Sequence, residues 1–301
     1  MESHRWTIRR EWLVGYAFVL PALVFTLIFD YYPILNGILE SFYDWNGANV
    51  DRFVGLQNFV QILSDPVFWD SVENMLFFLV FNIILMAPTL VACIVLFRLR
   101  SKRAQYIYRV FYTVPMIIPW IVMLLIWQFM YDPQFGLLNQ ALQAMGLGAY
   151  RQLWLADPRL VKWCIVLMGF PWIATTAALI YLGGLQSVDE SVWEAAALDG
   201  AGSITRALKI EWPLVRGQFK LNLIGVLAGT MTGYGTQLVL TGGGPGFSSL
   251  VPGLYMYNQA FGSFAGGTSS NYGYASAVGL ILFIVSVIIT IVAFKYVRSV
   301  D

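Results

Sequence analysis

Histidine occurs once, cysteine twice, and charged residues make up only 12% of the 301-residue chain. The single histidine, His4, stands in a basic N-terminal stretch and has no second imidazole with which to build a metal site or a proton relay. Cys93 and Cys164 fall inside apolar runs. Two such residues make no disulfide framework and match no metal-site spacing, so they read as small apolar packing residues. The sequence also lacks a G-x-x-x-x-G-K-[ST] loop, so it cannot cradle nucleotide phosphates in that way. Gly242–Gly244 lack the following lysine and read as a flexible turn. The net charge of +1 argues neither for nucleic acid nor for an acidic substrate, and no long basic run exists to bind either, so no nucleic-acid partner is expected.

Hydrophobic residues fill the space the charges leave, at 58% of the chain against about 45–50% in an average soluble domain. Such a chain cannot cover itself with a soluble surface, so lipid must be the solvent for much of it. Six stretches without Asp, Glu, Lys or Arg approach or exceed the roughly 17–25 residues that a membrane crossing needs. They are 12–29 (extending to about 33), 75–97, 110–131, 163–185, 221–240 and 273–294. Backbone groups in hydrocarbon must be satisfied within the segment, so each is expected to be a helix. The expected fold is therefore an all-α integral membrane protein with a six-helix transmembrane body over 12–294, a short tail at 1–11 and another at 295–301. Pro21, Pro88, Pro115, Pro119 and Pro171 lie within the spans and should bend several of them. The first span resembles a signal peptide, but Asp30-Tyr31-Tyr32-Pro33 follows it in place of a small-residue cleavage site, so it reads as a retained helix.

Orientation follows from lysine and arginine. With the N-terminus inside, the inner segments take all of the 18 basic residues except Arg52, Arg151, Arg159 and Lys162. The positive-inside rule then places both termini in the cytoplasm.

The inner segment at 186–220 carries the sharpest local signal. Ser187 and Glu190 have the spacing of a capping box, so a helix should begin near Val188, with Asp189 and Glu190 at its positive end. Alanines at 195–197 keep that helix slim. Gly200 and Gly202 should end it, Ser203 should cap a second helix, and Pro213 should stop that one. Helix, glycine corner and helix would form an elbow projecting into the cytoplasm.

Glu194-Ala195-Ala196, Gly200, Ile210 and Pro213 together resemble the "EAA" loop of binding-protein-dependent ATP-binding-cassette importer permeases, with Trp212 where leucine is usual. Further pieces narrow the resemblance to the carbohydrate branch, the maltose- and glycerol-phosphate-type permeases. They are Leu20-Pro21-Ala22, Tyr32–Leu35, Ser41–Trp45, Phe53–Phe59, Asp132–Asn139 and Leu240–Pro245, the last found mainly in the first of the two permease partners. The resemblance implies a division of labour. Two permeases, usually a heterodimer, form the pathway. Two cytoplasmic ATPase subunits bind ATP and Mg and drive it, and an extracytoplasmic solute-binding protein delivers a sugar or oligosaccharide. Glu194–Gly200 would be the coupling helix docked on an ATPase subunit. No cofactor, metal or catalytic residue is expected in this chain, and the expected location is the bacterial or archaeal inner membrane.

Sugars are held by hydrogen bonds to hydroxyls and by aromatic faces. Thr230, Tyr234 and Gln237 share one helical face at spacings of four and three, and Trp172 and Thr176 follow Pro171. These residues either line the pathway or bond to neighbouring helices. Tyr255, Tyr257 and Phe261 are expected at the outer membrane interface, where they could also receive the binding protein. Two other classes fit less well. An ion-coupled carrier needs ionisable groups within its spans, and these spans have none. An intramembrane protease needs a base beside its nucleophile, and the one histidine is in the tail. A change of cargo to amino acids, phosphate or metal sits badly with the Ser41–Trp45 and Thr241–Pro245 similarities.

Overall fold

The computed structural model describes residues 2–48, 51–262 and 270–296; the expected C-terminal tail beyond Tyr296, with Arg298, and part of the outer loop at 241–272 lie outside the described residues. The described chain is helical almost throughout, with one departure from the all-helical expectation. Tyr43–Trp45 pairs antiparallel with Asp51–Phe53, and the Tyr43 and Phe53 rings meet edge-on at 5.3 Å. Aromatic residues favour a half-buried pleated surface, which is why this short segment between helices pairs.

Residues up to Ser64 together with Met256–Ile281 form one compact unit. Its first helix, Glu2–Thr26, takes in the expected tail, passes Pro21 unbroken, and continues through a π-turn at Leu27–Tyr31 into Tyr32–Glu40. The apolar rod is thus longer than the expected span. Pro33 is tolerated because it sits in the first turn of Tyr32–Glu40, where a backbone N–H is spare. In the same unit Asn58 Nδ2 donates to the carbonyls of Ser41 and Tyr43, at 3.0 and 2.9 Å. The Ser41–Trp45 and Phe53–Phe59 pieces are therefore two halves of one folded corner.

Asp65–Tyr255 and the residues from Leu282 onward form the second unit. Asp65 caps Pro66–Ile84 by accepting from the Val67 N–H at 2.8 Å, and Met86–Arg98 follows after a break at Leu85. Pro88 explains the break: its missing N–H and its ring both act against the carbonyl of Ile84, four residues earlier. Lys102–Ile117 and Trp120–Met130 are separated at Pro119 by a bend of 89°. A core of Cys93, Ile94, Leu96, Ala178, Tyr181, Leu182, Leu185 and Val215 joins Met86–Arg98 to Thr175–Gln186 and to the start of Arg216–Thr232. Both cysteines are free and buried, as small apolar packing residues should be.

Among the described residues, Trp12–Glu40, Pro66–Arg98 and Tyr272–Lys295 are long and apolar enough to cross a membrane, and the bent pair around Pro119 passes as a fourth. The protein is an integral membrane protein. Stretches 163–185, with its expected bend at Pro171, and 221–240, expected as a helix without a break, are each broken. The first runs as Val161–Leu167 and Thr175–Gln186, with a cis Phe170–Pro171 bond and Trp172 at φ 54° between them. The second runs as Arg216–Thr232 and Gly235–Leu240. It breaks at Gly233, whose backbone packs so closely that a Cβ there would lie 2.5 Å from the Gly229 carbonyl oxygen.

Candidate functional site

The segment at 186–220 folds as helix, glycine corner and helix, with different caps from those expected. Ser187 belongs to the preceding helix: its Oγ donates to the Gly184 carbonyl at 2.9 Å. The N-cap of Glu190–Leu198 is Asp189, whose carboxylate accepts from the Ser191 N–H at 2.8 Å; hydrogen bonding from the Ser191 side chain, and then from its backbone N–H, holds the Asp189 carboxyl below its ordinary value. An aspartate two residues nearer the apolar stretch outcompetes a serine already engaged behind it. At the other end Gly200 takes φ 66°. The Gly200 N–H donates to the Ala197 carbonyl at 3.2 Å and the Ala201 N–H to the Ala196 carbonyl at 3.1 Å, the paired bonds of a Schellman motif. Gly202, not Ser203, is the next N-cap. Pro213 does not stop the second helix but sits in the first turn of Trp212–Leu214, after a π-turn at Ala207–Glu211.

Glu194 and Ala195 are exposed on the first helix and Ala196 is buried beneath them. Ile210 and Pro213 lie half-buried on the second helical stretch. Three large apolar side chains stand out from the elbow: Leu198 is 89% exposed, Ile204 76% and Leu208 64%. The inner side of the elbow is tied down. Glu211 is fully buried; Arg98 grips it with Nε at 2.9 Å and Nη2 at 2.7 Å, and Arg206 Nε reaches it at 3.0 Å. From the sequence alone Arg98 and Arg206 are marked only as positive-inside residues, and Glu211 is not marked as a partner for either. The available signal was one acidic residue between Arg206, Lys209, Arg216 and Lys220.

A cavity of about 950 Å³ opens within the second unit, and none of its lining residues carries a formal charge. Trp172, Thr176, Thr230, Tyr234 and Gln237 all line it, so the five expected pathway residues come together. They do so by another route than a shared helical face. The break at Gly233 makes Tyr234 the N-cap of the short Gly235–Leu240 helix, so Thr230 and Gln237 reach the cavity from two successive helices. Asn82, Trp120 and Tyr181 also line it and were not singled out. Asn82 Nδ2 donates to Thr230 Oγ1 at 2.9 Å. Tyr255, expected at the membrane interface, is instead buried; its hydroxyl donates to Asp65 Oδ2 and its ring packs on Phe68. Gly-rich Leu240–Pro245 folds as a turn braced by Thr241 and Ser249, whose hydroxyls lie 2.7 Å apart.

Residues 84–300 match the family described as the binding-protein-dependent transport system inner membrane component. The chain belongs to this family. It is accordingly the permease component of an ATP-binding-cassette importer, a membrane subunit and not the ATP-hydrolysing one. Among relatives, it is 30% identical to a probable ABC transporter permease protein, YurN, of Bacillus subtilis (strain 168), over 97% of this chain and 98% of the relative. It is 29% identical to the multiple sugar-binding transport system permease protein MsmF of Streptococcus mutans, over 97% of each. The fold is similar, at a TM-score of 0.84 and 21% identity, to a chain of a bacterial alginate ABC transporter crystallised with an alginate pentasaccharide-bound periplasmic protein, covering 97% of this chain and 96% of that one.

Proposed function

We propose that this permease forms half of the translocation pathway for a sugar or oligosaccharide, and that Glu194–Gly200 is the coupling helix through which separate ATPase subunits drive it. One observation carries the coupling assignment: an elbow held rigid on its inner side presents Leu198, Ile204 and Leu208 outward as an exposed apolar tip. Exposed apolar patches mark interaction surfaces, and this one adjoins the Glu194, Ala195, Ala196, Gly200, Ile210 and Pro213 pattern of the family's docking loop. The cargo reading is supported by an uncharged cavity furnished with Trp120, Trp172, Tyr181 and Tyr234 beside amide and hydroxyl groups. It is also supported by the sugar-transport names of relatives.

The partners are a second permease, two ATPase subunits and an extracytoplasmic solute-binding protein. The setting is the cytoplasmic membrane, crossed six times with both termini inside, the two broken stretches included. The Arg98–Glu211 contact supports that topology, because it requires the end of Met86–Arg98 and the 186–220 segment to lie on one side of the membrane. ATP and Mg belong to the partner subunits; in this chain the residues bind, orient and transmit movement.

The test is to express the chain with its ATPase, introduce Leu198→Cys in a background without Cys93 and Cys164, and cross-link. A cross-linked adduct between position 198 and the ATPase, and co-purification of the two, are expected. An elbow that labels only from the outside of intact cells would refute the assignment.

A further inference from the structure

We propose that Glu211 is a positioning residue for energy coupling: with Arg98 and Arg206 it locks the elbow to the end of the Met86–Arg98 helix, so that both move as one body. This rests on the reading of Glu194–Gly200 as the coupling helix. The contacts form a closed ring. Arg98 spans both carboxylate oxygens of Glu211, and its Nη2 also donates to the Ser203 carbonyl at 2.8 Å, fastening the start of the second helical stretch. Arg206 bonds the same carboxylate, and its guanidinium lies 4.9 Å from the centre of the Trp193 ring. Trp193, next to Glu194, then packs on Phe97 at 5.2 Å, beside Arg98.

Backbone register makes this ring possible. Residues five apart do not face each other on an α-helix, where neighbours are three and four apart. The π-turn at Ala207–Glu211 widens that turn and brings Glu211 under Arg206. Such single-turn insertions occur often at functional sites.

Burial argues against a mere fastener. The Glu211 side chain is 0% exposed, against 23% and 27% for its two arginines. Well-packed apolar residues of similar volume generally stabilise at least as well as a buried ion pair, whose best-attested use is to fix a defined geometry. Two-pronged Arg–carboxylate contacts resist rotation as well as separation. A push on Trp193 and Glu194 is therefore passed to Met86–Arg98, a helix that is not adjacent to the elbow in sequence and that contributes Met86 and Thr89 to the cavity wall. The ring thus links the docking surface to the cavity by a path that bypasses the two broken helices flanking the elbow.

Two spin-label distances in the assembled transporter test this, with Cys93 and Cys164 replaced by alanine. The pair Val95→Cys and Ser191→Cys reports across the ring; Leu125→Cys and Ser191→Cys reports elbow movement against an unclamped helix. Each is measured without nucleotide and trapped with ATP, Mg and vanadate. In the otherwise unaltered protein the 125–191 distance should change and the 95–191 distance should not. In Arg98→Gln/Glu211→Gln, which removes both charges of the main pair, the 95–191 distance should also shift between states, by about 2 Å or more, the scale of helix displacement at moving interfaces. Arg98→Lys, which keeps the charge and loses the two-pronged contact, should show the same shift even where the double variant assembles poorly. A 95–191 distance that already changes in the unaltered protein, or stays fixed in both variants, overturns the clamp alone. A 125–191 distance that never responds to nucleotide overturns the coupling assignment and the clamp with it.

Discussion

Gly184 and Gln218 pack so closely that a methyl group at 184 would lie 2.6 Å from Gln218 Cδ and 2.9 Å from its Cγ. The two residues sit on Thr175–Gln186 and Arg216–Thr232, the helices on either side of the elbow. Gly184→Leu should overpack this crossing, a change that typically costs about 1–3 kcal/mol. Gly184→Ala should cost less, because the obstructing atoms are the far end of a flexible side chain. Thermal unfolding in detergent should rank the three proteins, and adding Gln218→Ala should restore most of the loss in Gly184→Leu. Equal midpoints for the unaltered protein and the Gly184→Leu variant would contradict the packing.

Gly200 offers a test of conformation without steric crowding, since nothing lies within 4 Å of a Cβ built there while its φ is 66°. Asparagine tolerates the left-handed region and valine does not. Gly200→Asn should therefore retain uptake, whereas Gly200→Val should insert normally and lose it, with ATP hydrolysis no longer responding to the loaded binding protein. Glu194→Lys, on the exposed face of the same helix, should fail in the same way.

Asp189 supplies a pH dependence with a definite sign. Its carboxyl titrates lower than usual because the ionised form accepts from Ser191. The cap is thus fully present above the unfolded-state value near 3.9 and is lost as pH falls through the lower folded value. Hydrogen exchange of residues 190–198 at neutral pH should be little changed by Asp189→Asn, which still accepts, and faster in Asp189→Ala. Limited proteolysis between about pH 5 and about pH 3 should show the native elbow loosening at the acid end, and Asp189→Asn should be insensitive.

How far the sequence carried these assignments depended on the range of the interaction. Hydrophobic runs located three of the six expected spans as long apolar helices and a fourth as a pair bent at Pro119, because hydrocarbon solvation acts on every residue alike. The elbow was legible because caps and glycine corners are local chemistry, yet Asp189 displaced Ser187 once Ser187 was drawn to Gly184. The breaks at 168–174 and Gly233 were harder to see. Pro171 announced the first; the second depends on how closely Gly229 and Gly233 stack and on Trp120, which would lie 2.9 Å from a Cβ at Gly235. Least visible was Glu211, since its partner Arg98 is 113 residues away and the π-turn that exposes it to Arg206 has no compositional mark.

Trp172 allows backbone and side-chain roles in the cavity to be separated. It holds φ 54°, a region a bulky residue rarely occupies and one that recurs at functional sites. Its side chain is also committed: Nε1 donates to the Val166 carbonyl at 2.8 Å, and the ring stands edge-on to Phe170 at 4.9 Å. Trp172→Gly frees the backbone and removes the ring, whereas Trp172→Ala removes the ring and keeps the strain. If the ring's task is to face the solute, both variants should lose uptake, with the glycine protein the more stable of the two by thermal unfolding. The ATPase should keep its basal rate in each, because the elbow is untouched. Uptake retained in Trp172→Gly would show instead that the side chain only braces the turn against Val166, and would remove Trp172 from the pathway.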